Sequence, residues 1–216
     1  MDWHSTQNQD YISLLKSRLN GPLLHWVNQF VEIINQTINQ RECIITLNDF
    51  GCGVGNFYRG IDFLQGLIDY RGYDVSDVYL SIARDFFPAG NFIKLDISEH
   101  IPQEADIAVM SATLEHLDNY SNVLKNIFFS TKKLFILRTF IGPESLFDRC
   151  LTFRATDSYL IRQFTIEEIA LNLPEGWKYD LLEDNATNGK TKFVCNDLTI
   201  PRRQKIFVFS RSEDLS

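Results

Sequence analysis

The chain lacks the features that would tie its 216 residues to a membrane, a metal or an oxidising compartment. No apolar run approaches the ~20 residues that a membrane-spanning helix needs. Met1-Asp2-Trp3-His4 is not the basic opening of a signal peptide. Cysteine is scarce: Cys43, Cys52, Cys150 and Cys195 include no C-x-x-C pair, and His4, His25, His100 and His116 have no metal-ligand spacing. Free thiols, no metal, no membrane contact and a cytoplasmic location are the expectation. Excess basic charge is also missing. Lys plus Arg number 21 against 28 Asp plus Glu, and the net charge of −7 argues against a nucleic-acid backbone as the main partner. No internal repeat or low-complexity segment interrupts the chain. Against these absences stand ordinary globular proportions, 44% hydrophobic and 23% charged, over a length that suits one domain.

What is present is organised around residues 44–57. Residues 44–50 are apolar and β-branched at their start, as in a buried parallel strand. Gly51, Gly53 and Gly55 follow, and then Phe57, Ile61, Leu64 and Leu67/Ile68 recur at helical spacing. A strand, a glycine turn and a helix bring bare backbone N–H groups and a helix N-terminus to a ligand. The dinucleotide pattern G-x-G-x-x-G fails here, because Asn56 or Tyr58 stands where its last glycine is needed. A nicotinamide oxidoreductase is disfavoured on that ground. No Gly-Lys-Ser/Thr follows either, so the loop is not a Walker loop.

Asp49-Phe50-Gly51-Cys52-Gly53-Val54-Gly55 resembles motif I of the class I S-adenosylmethionine (SAM)-dependent methyltransferases. The resemblance implies a turn in which Gly51, Cys52, Gly53 and Gly55 let the main chain approach the methionine part of SAM. Asp49 would accept from its ammonium group. Residues 69–75 form a short strand ending at Asp74 and Val75, about two dozen residues past Gly51, where a carboxylate takes ribose hydroxyls. Ser76 is a candidate N-cap, with Tyr79, Ile82/Ala83 and Phe86 as the buried face of the next helix. Residues 91–95 make the third strand. In the resembled family the acid after it, here Asp96, accepts from the adenine amino group, and Ile97 walls the ring.

Residues 105–111 are the fourth strand, ending at Ser111. The Glu115-His116-Leu117 triplet after it resembles the form common among small-molecule members of the family. The Asn/Asp-Pro-Pro-Tyr tetrapeptide of many base-modifying members is absent. Asp118 is a candidate N-cap for a helix carrying Tyr120, Val123/Leu124 and Ile127/Phe128, and residues 132–140 are the fifth strand. Further on, Thr165 and Glu168 form a capping box, with Ile166, Ile169/Ala170 and Leu173 continuing its helix. Residues 177–182 are the sixth strand and 205–210 the last. Asn188-Gly189 is a turn before an extra edge strand at 191–194.

Alternating strands and helices of this kind predict an α/β three-layer sandwich. Its sheet is mostly parallel and seven-stranded, and the resembled fold makes the last strand antiparallel. Asp49/Gly51, Asp74, Asp96 and Ser111 then meet along one sheet edge. Residues 1–40 form an N-terminal helical cap with Tyr11, Leu14/Leu15 and Leu19 on one face. A second helix starts at Pro22 and carries Leu23/Leu24, Val27, Phe30/Val31, Ile34 and Ile38. In the resembled family such a segment closes over SAM, which makes Trp3, His4 and Tyr11 lid contacts. Residues 41–216 are the SAM-binding domain, with irregular residues 141–164 inserted as a substrate lid. Arg138, Arg149, Arg154 and Arg162 lie in or beside that insert, and Arg138 and Arg154 are candidates to hold a substrate carboxylate or phosphate. Ordinary surface arginines are the alternative.

The resemblance implies transfer of the SAM methyl to an O, N or C nucleophile of a small molecule, leaving S-adenosylhomocysteine (SAH). His116 is the candidate base, and Glu115 the second choice. A non-catalytic SAM-binding subunit and a protein or tRNA methyltransferase stay open, as do monomer and homodimer.

Overall fold

The computed structural model describes residues 9–38, 44–64, 66–151, 158–186 and 203–211, with 147–151 and 158–161 described by backbone alone. Among these residues seven strands form a single sheet: β1 (Ile45–Phe50), β2 (Ile68–Asp74), β3 (Phe92–Lys94), β4 (Ala105–Ser111), β5 (Thr131–Ile141), β8 (Trp177–Glu183) and β9 (Arg203–Arg211). Their order across the sheet is β3-β2-β1-β4-β5-β9-β8. β1 pairs parallel with β2 and β4, β2 with β3, and β4 with β5. β9 runs antiparallel to both β5 and β8, as expected of the last strand. The chain reverses direction across the sheet between β1 and β4, and that switch point is where open α/β sheets bind ligands.

Helices cover both faces. On one, Val27, Phe30 and Ile34 of α2 (His25–Ile38) are fully buried with Leu47, Phe57, Ile136 and Ile206. On the other, Val123, Leu124 and Ile127 of α5 (Tyr120–Ser130) pack with Phe135, Phe207 and Phe209. α3 (Asn56–Ile61) follows the glycine turn and lies so close to α2 that a Cβ on Gly60 would stand 2.3 Å from Val27 Cγ1. α1 (Gln9–Asn20) buries Ile12, Leu15 and Leu19 against Val54 of the glycine turn and against Tyr79 and Ile82 of α4 (Asp77–Phe86). Arg59 of α3 donates to the carbonyls of Arg18 (3.1 Å) and Gly21 (2.6 Å), fastening the end of α1 to the helix that leaves the glycines. A cation there also suits the negative end of a helix.

Several local expectations are corrected. Leu67 and Ile68 are not helical: α3 stops at Ile61, a 3₁₀ turn takes residues 62–64, and Gly66 (φ 88°) turns the chain into β2. α2 begins at His25 rather than Pro22. On α1 Ile12 is buried beside the expected Leu15 and Leu19, while Leu14 is 43% exposed, and on α4 Phe86 is 38% exposed. Asn119, not Asp118, takes the N-cap position of α5. α6 (Ile166–Ala170) has the expected Thr165–Glu168 capping box but ends before Leu173. The stretch expected to be irregular after β5 forms an antiparallel ribbon of β6 (Leu146–Leu151) and β7 (Ser158–Gln163), and β7 packs on residues 114–116. The 191–194 strand, the Asn188-Gly189 turn, Trp3, His4 and Arg154 lie outside the described residues.

Candidate active site

The glycine turn leaves β1 at the switch point. Its three glycines are all left-handed, with φ of 69° at Gly51, 54° at Gly53 and 85° at Gly55. A side chain is strained in that region. The Gly51 and Cys52 N–H groups both donate to the Tyr73 carbonyl at the end of β2, at 2.8 and 3.0 Å. The turn is thereby clamped to the neighbouring strand. A Cβ on Gly51 would strike Thr113 Oγ1 at 2.1 Å, whereas a Cβ on Gly53 would meet nothing within 4 Å. The open space lies over Gly53.

Three acids lie at or just past the C-terminal ends of β1, β2 and β3. Asp74 ends β2 and accepts from the Gly53 N–H with Oδ2 and from the Ser76 N–H with Oδ1, both at 2.9 Å. It is half-buried and rigidly aimed. Asp96 follows β3 and accepts from the N–H and hydroxyl of Ser98 at 2.9 and 2.6 Å, while Ile97 beside it is buried. Asp49 ends β1, only 4% exposed, and accepts from the Tyr70 hydroxyl at 2.8 Å. Burial raises its pKa to about 7; the Tyr70 hydrogen bond opposes the shift, and nearby Asp74 adds to it. The same burial, with Asp74 and Asp49 close by, holds the Cys52 thiol protonated, as a small apolar residue of the turn. Tyr70 was not singled out by sequence reasoning. Only strand register brings it to Asp49.

The second half of the site follows β4. Ala112 has φ of 54°, the one positive value among the described non-glycine residues, and its N–H donates to the Arg138 carbonyl at 2.9 Å. Strain of this kind collects at functional sites. The 3₁₀ turn Leu114–His116 comes next. Glu115 is fully buried; its Oε2 accepts from Thr139 Oγ1 at 3.0 Å, and its Oε1 has no hydrogen-bond partner among the described residues. Gln163 of β7, 1% exposed, likewise keeps a buried Oε1 without a partner among them while its amide donates to the Glu144 carbonyl at 3.0 Å. His116 is half-buried in the same turn, and Tyr11 of α1 lies 6.5 Å, ring to ring, from Tyr79.

The expected role of Arg138 is corrected. Its guanidinium is turned inward, donating to Asp184 Oδ2 from Nε (3.1 Å) and Nη2 (2.9 Å), to Gln204 Oε1, and to Ser111 Oγ at 3.3 Å. It also lies 5.7 Å from the centre of the Trp26 ring. A buried cation takes the nearest buried anion, and Asp184 is fully buried. Arg162 instead stacks on Tyr120 at 4.6 Å.

A surface cavity of about 250 Å³, lined by Tyr58, Leu64, Ile68 and Asn91 among others, opens at the starts of β2 and β3. Tyr70, whose hydroxyl donates to Asp49, is also among its lining residues. Among the described residues no cluster of three or more His, Cys, Asp or Glu could hold a metal, and no helix is long and apolar enough to cross a membrane.

The strand-end acids, the left-handed glycines and the open space over Gly53 fit a ligand that carries an adenosyl group and positive charge. A family model described as a methyltransferase domain matches residues 16–149. Nothing among the curated proteins matches the chain by sequence. Solved structures share the fold. A SAM-dependent methyltransferase from Clostridium acetobutylicum aligns with a TM-score of 0.63 at 13% identity, covering 95% of this chain and 99% of that one. DesVI from Streptomyces venezuelae aligns with 0.64 at 13% identity over 96% and 99%. Magnesium protoporphyrin IX methyltransferase from Synechocystis, with bound SAH, aligns with 0.56 at 16% identity over 86% and 82%.

Proposed function

The chain belongs to the methyltransferase domain family and is a SAM-dependent methyltransferase, and from that premise we propose that its methyl acceptor is a small molecule met in the cytoplasm. The observation that carries the reading is the covered strand edge. α1 packs on the glycine turn, and β7 packs on the turn holding Glu115 and His116. The acceptor would therefore enter a roofed pocket rather than an open groove. The Synechocystis relative, a methyltransferase of magnesium protoporphyrin IX by its name, supports a small acceptor by analogy of fold.

SAM supplies the electrophilic methyl on its sulfonium. In this reading the turn Gly51, Cys52, Gly53 and Gly55 receives the methionine portion, with Asp49 against its charge. Asp74, beside Val75, takes the ribose hydroxyls; Asp96 takes the adenine amino group, with Ile97 against the ring. Ser111 closes the β4 side. His116 removes a proton from the acceptor where one must leave, and Glu115 orders the same turn through Thr139. Tyr11 and the β6–β7 ribbon exclude water around the in-line transfer. The unpartnered oxygens of Glu115 and Gln163 favour an acceptor that presents an O–H or N–H.

Asp74→Ala tests the cofactor side. It is expected to weaken SAM binding more than tenfold (about 1.4 kcal/mol) in calorimetry, through loss of charge-assisted hydrogen bonds. Unchanged affinity would reject the ribose assignment.

A further inference from the structure

We infer that Asp49 answers the positive charge of the cofactor by giving up a proton, so that binding at this site is coupled to pH. The inference rests on the SAM reading above, and it assigns that site a regulation of its own.

The geometry sets Asp49 apart from its neighbour. Asp74 accepts two backbone N–H bonds. Among the described residues Asp49 accepts only the Tyr70 hydroxyl, and it is almost wholly enclosed. Among the described residues no lysine, arginine or histidine pairs with it. The groups around it are Tyr70 and Asp74 from β2, Cys52 from the turn and Tyr58 of α3, whose ring lies 4.8 Å from that of Tyr70. Arg84 of α4 acts on Cys52 and donates to the Phe92 carbonyl at 2.7 Å, and on β4 the register partner of Asp49 is Val109, which carries no charge. A buried carboxylate beside a second carboxylate, with no cation, holds its proton cheaply and its charge only at a cost. A ligand bearing an ammonium group changes that balance. Its charge supplies the cation that the described residues do not, so the ionised form of Asp49 is the one that binds.

The sign follows directly. With the free carboxyl titrating at about 7, most copies hold the proton at pH 6 and few do at pH 8. Affinity for a cationic ligand therefore falls as pH drops through 7 and levels off above it. The apparent dissociation constant scales inversely with the competent fraction, so the difference between pH 6 and pH 8 is roughly tenfold.

The test is calorimetric titration of the full chain with SAH, which keeps the ammonium, and with 5′-methylthioadenosine, which lacks it. Each titration is run at pH 6 and 8, and SAH also at pH 6.5 in phosphate and imidazole buffers. The expected result is SAH binding about tenfold tighter at pH 8 than at pH 6, with roughly half a proton or more released at pH 6.5. Methylthioadenosine should show no such slope. Asp49→Asn should bind SAH equally at both pH values. Tyr70→Phe, which removes the one hydrogen bond favouring the carboxylate, should move the midpoint upward. A flat SAH profile, a slope that survives in Asp49→Asn, or an unmoved midpoint in Tyr70→Phe overturns the inference while leaving the SAM reading intact. Failure of SAH to bind at either pH overturns the reading itself.

Discussion

Gly51 and Gly53 are alike in the sequence and unlike in the fold. Both are left-handed, so alanine at either costs about 1–2 kcal/mol of backbone strain. Only at Gly51 does a new Cβ also run into Thr113. Gly51→Ala should therefore lower unfolding free energy by on the order of 3 kcal/mol, and Gly53→Ala by no more than the strain. Affinity for SAH should show a loss at Gly53 out of proportion to its stability cost, because the space over Gly53 is where the ligand lies in the proposed reading. Urea unfolding and calorimetry of the two variants decide it; equal stability losses would mean that the two positions are equally filled. At this scale the acids themselves were legible, since each follows a strand and precedes a glycine or a cap. The difference between Asp49 and Asp74 was not, because it depends on which donors each carboxylate meets. Asp49 also weighs on the unliganded fold. Its pKa is raised from 3.8 to about 7, so its stabilising contribution is full below the unfolded value and is lost as pH rises through about 7.

Among elements, the Arg138–Asp184 pair joins β5 to the residue after β8, with Gln204 of β9 and Trp26 of α2 closing around it. Gln29 of α2 adds bonds to the Glu183 carbonyl and from the Asn185 N–H, both at 3.0 Å. One buried ion pair thus anchors the capping helix to three strands. Asp184→Ala should cost about 3–5 kcal/mol, since it strands a buried cation, whereas replacing both partners with apolar residues of similar volume should restore most of the loss. Urea unfolding of the single and double variants measures it; a double variant as unstable as the single would show that the charge pair is needed for itself. Arg138 suggests a substrate ligand from its place beside the insert that follows β5. The sequence carries no sign that a partner 46 residues away would claim it. The β6–β7 ribbon was missed for a related reason, because its strands pair only with each other and alternate too weakly to announce themselves.

For the whole molecule, the arrangement separates a working edge from a passive one. The strand C-termini carry the glycine turn, the acids and the Glu115 turn, and α1 and the ribbon lie against them. The strand N-termini carry surface ion pairs such as Lys133–Asp106 (2.6 Å) and the 250 Å³ cavity. Hydrogen exchange of the full chain should therefore slow on addition of SAH in α1, in residues 51–55 and after β4, and stay unchanged at residues 131–133 and 66–69. Protection confined to the strand starts would place the ligand at the wrong edge.

The order of strands and helices, the glycine turn and the acids at the ends of the first three strands were set by the sequence alone. They follow from local periodicity, from turn chemistry and from spacing along the chain, with the resemblance of residues 49–55 to motif I adding the ligand and the antiparallel last strand. Which residues stand opposite one another was decided by the tertiary structure. Tyr70 reaches Asp49, Asp184 takes Arg138, Thr113 fills the space at Gly51, and Glu115 and Gln163 are left with unpartnered oxygens under the ribbon. A carboxylate's charge and an arginine's availability depend on desolvation and on neighbours distant in the chain, and neither exists until the sheet has closed.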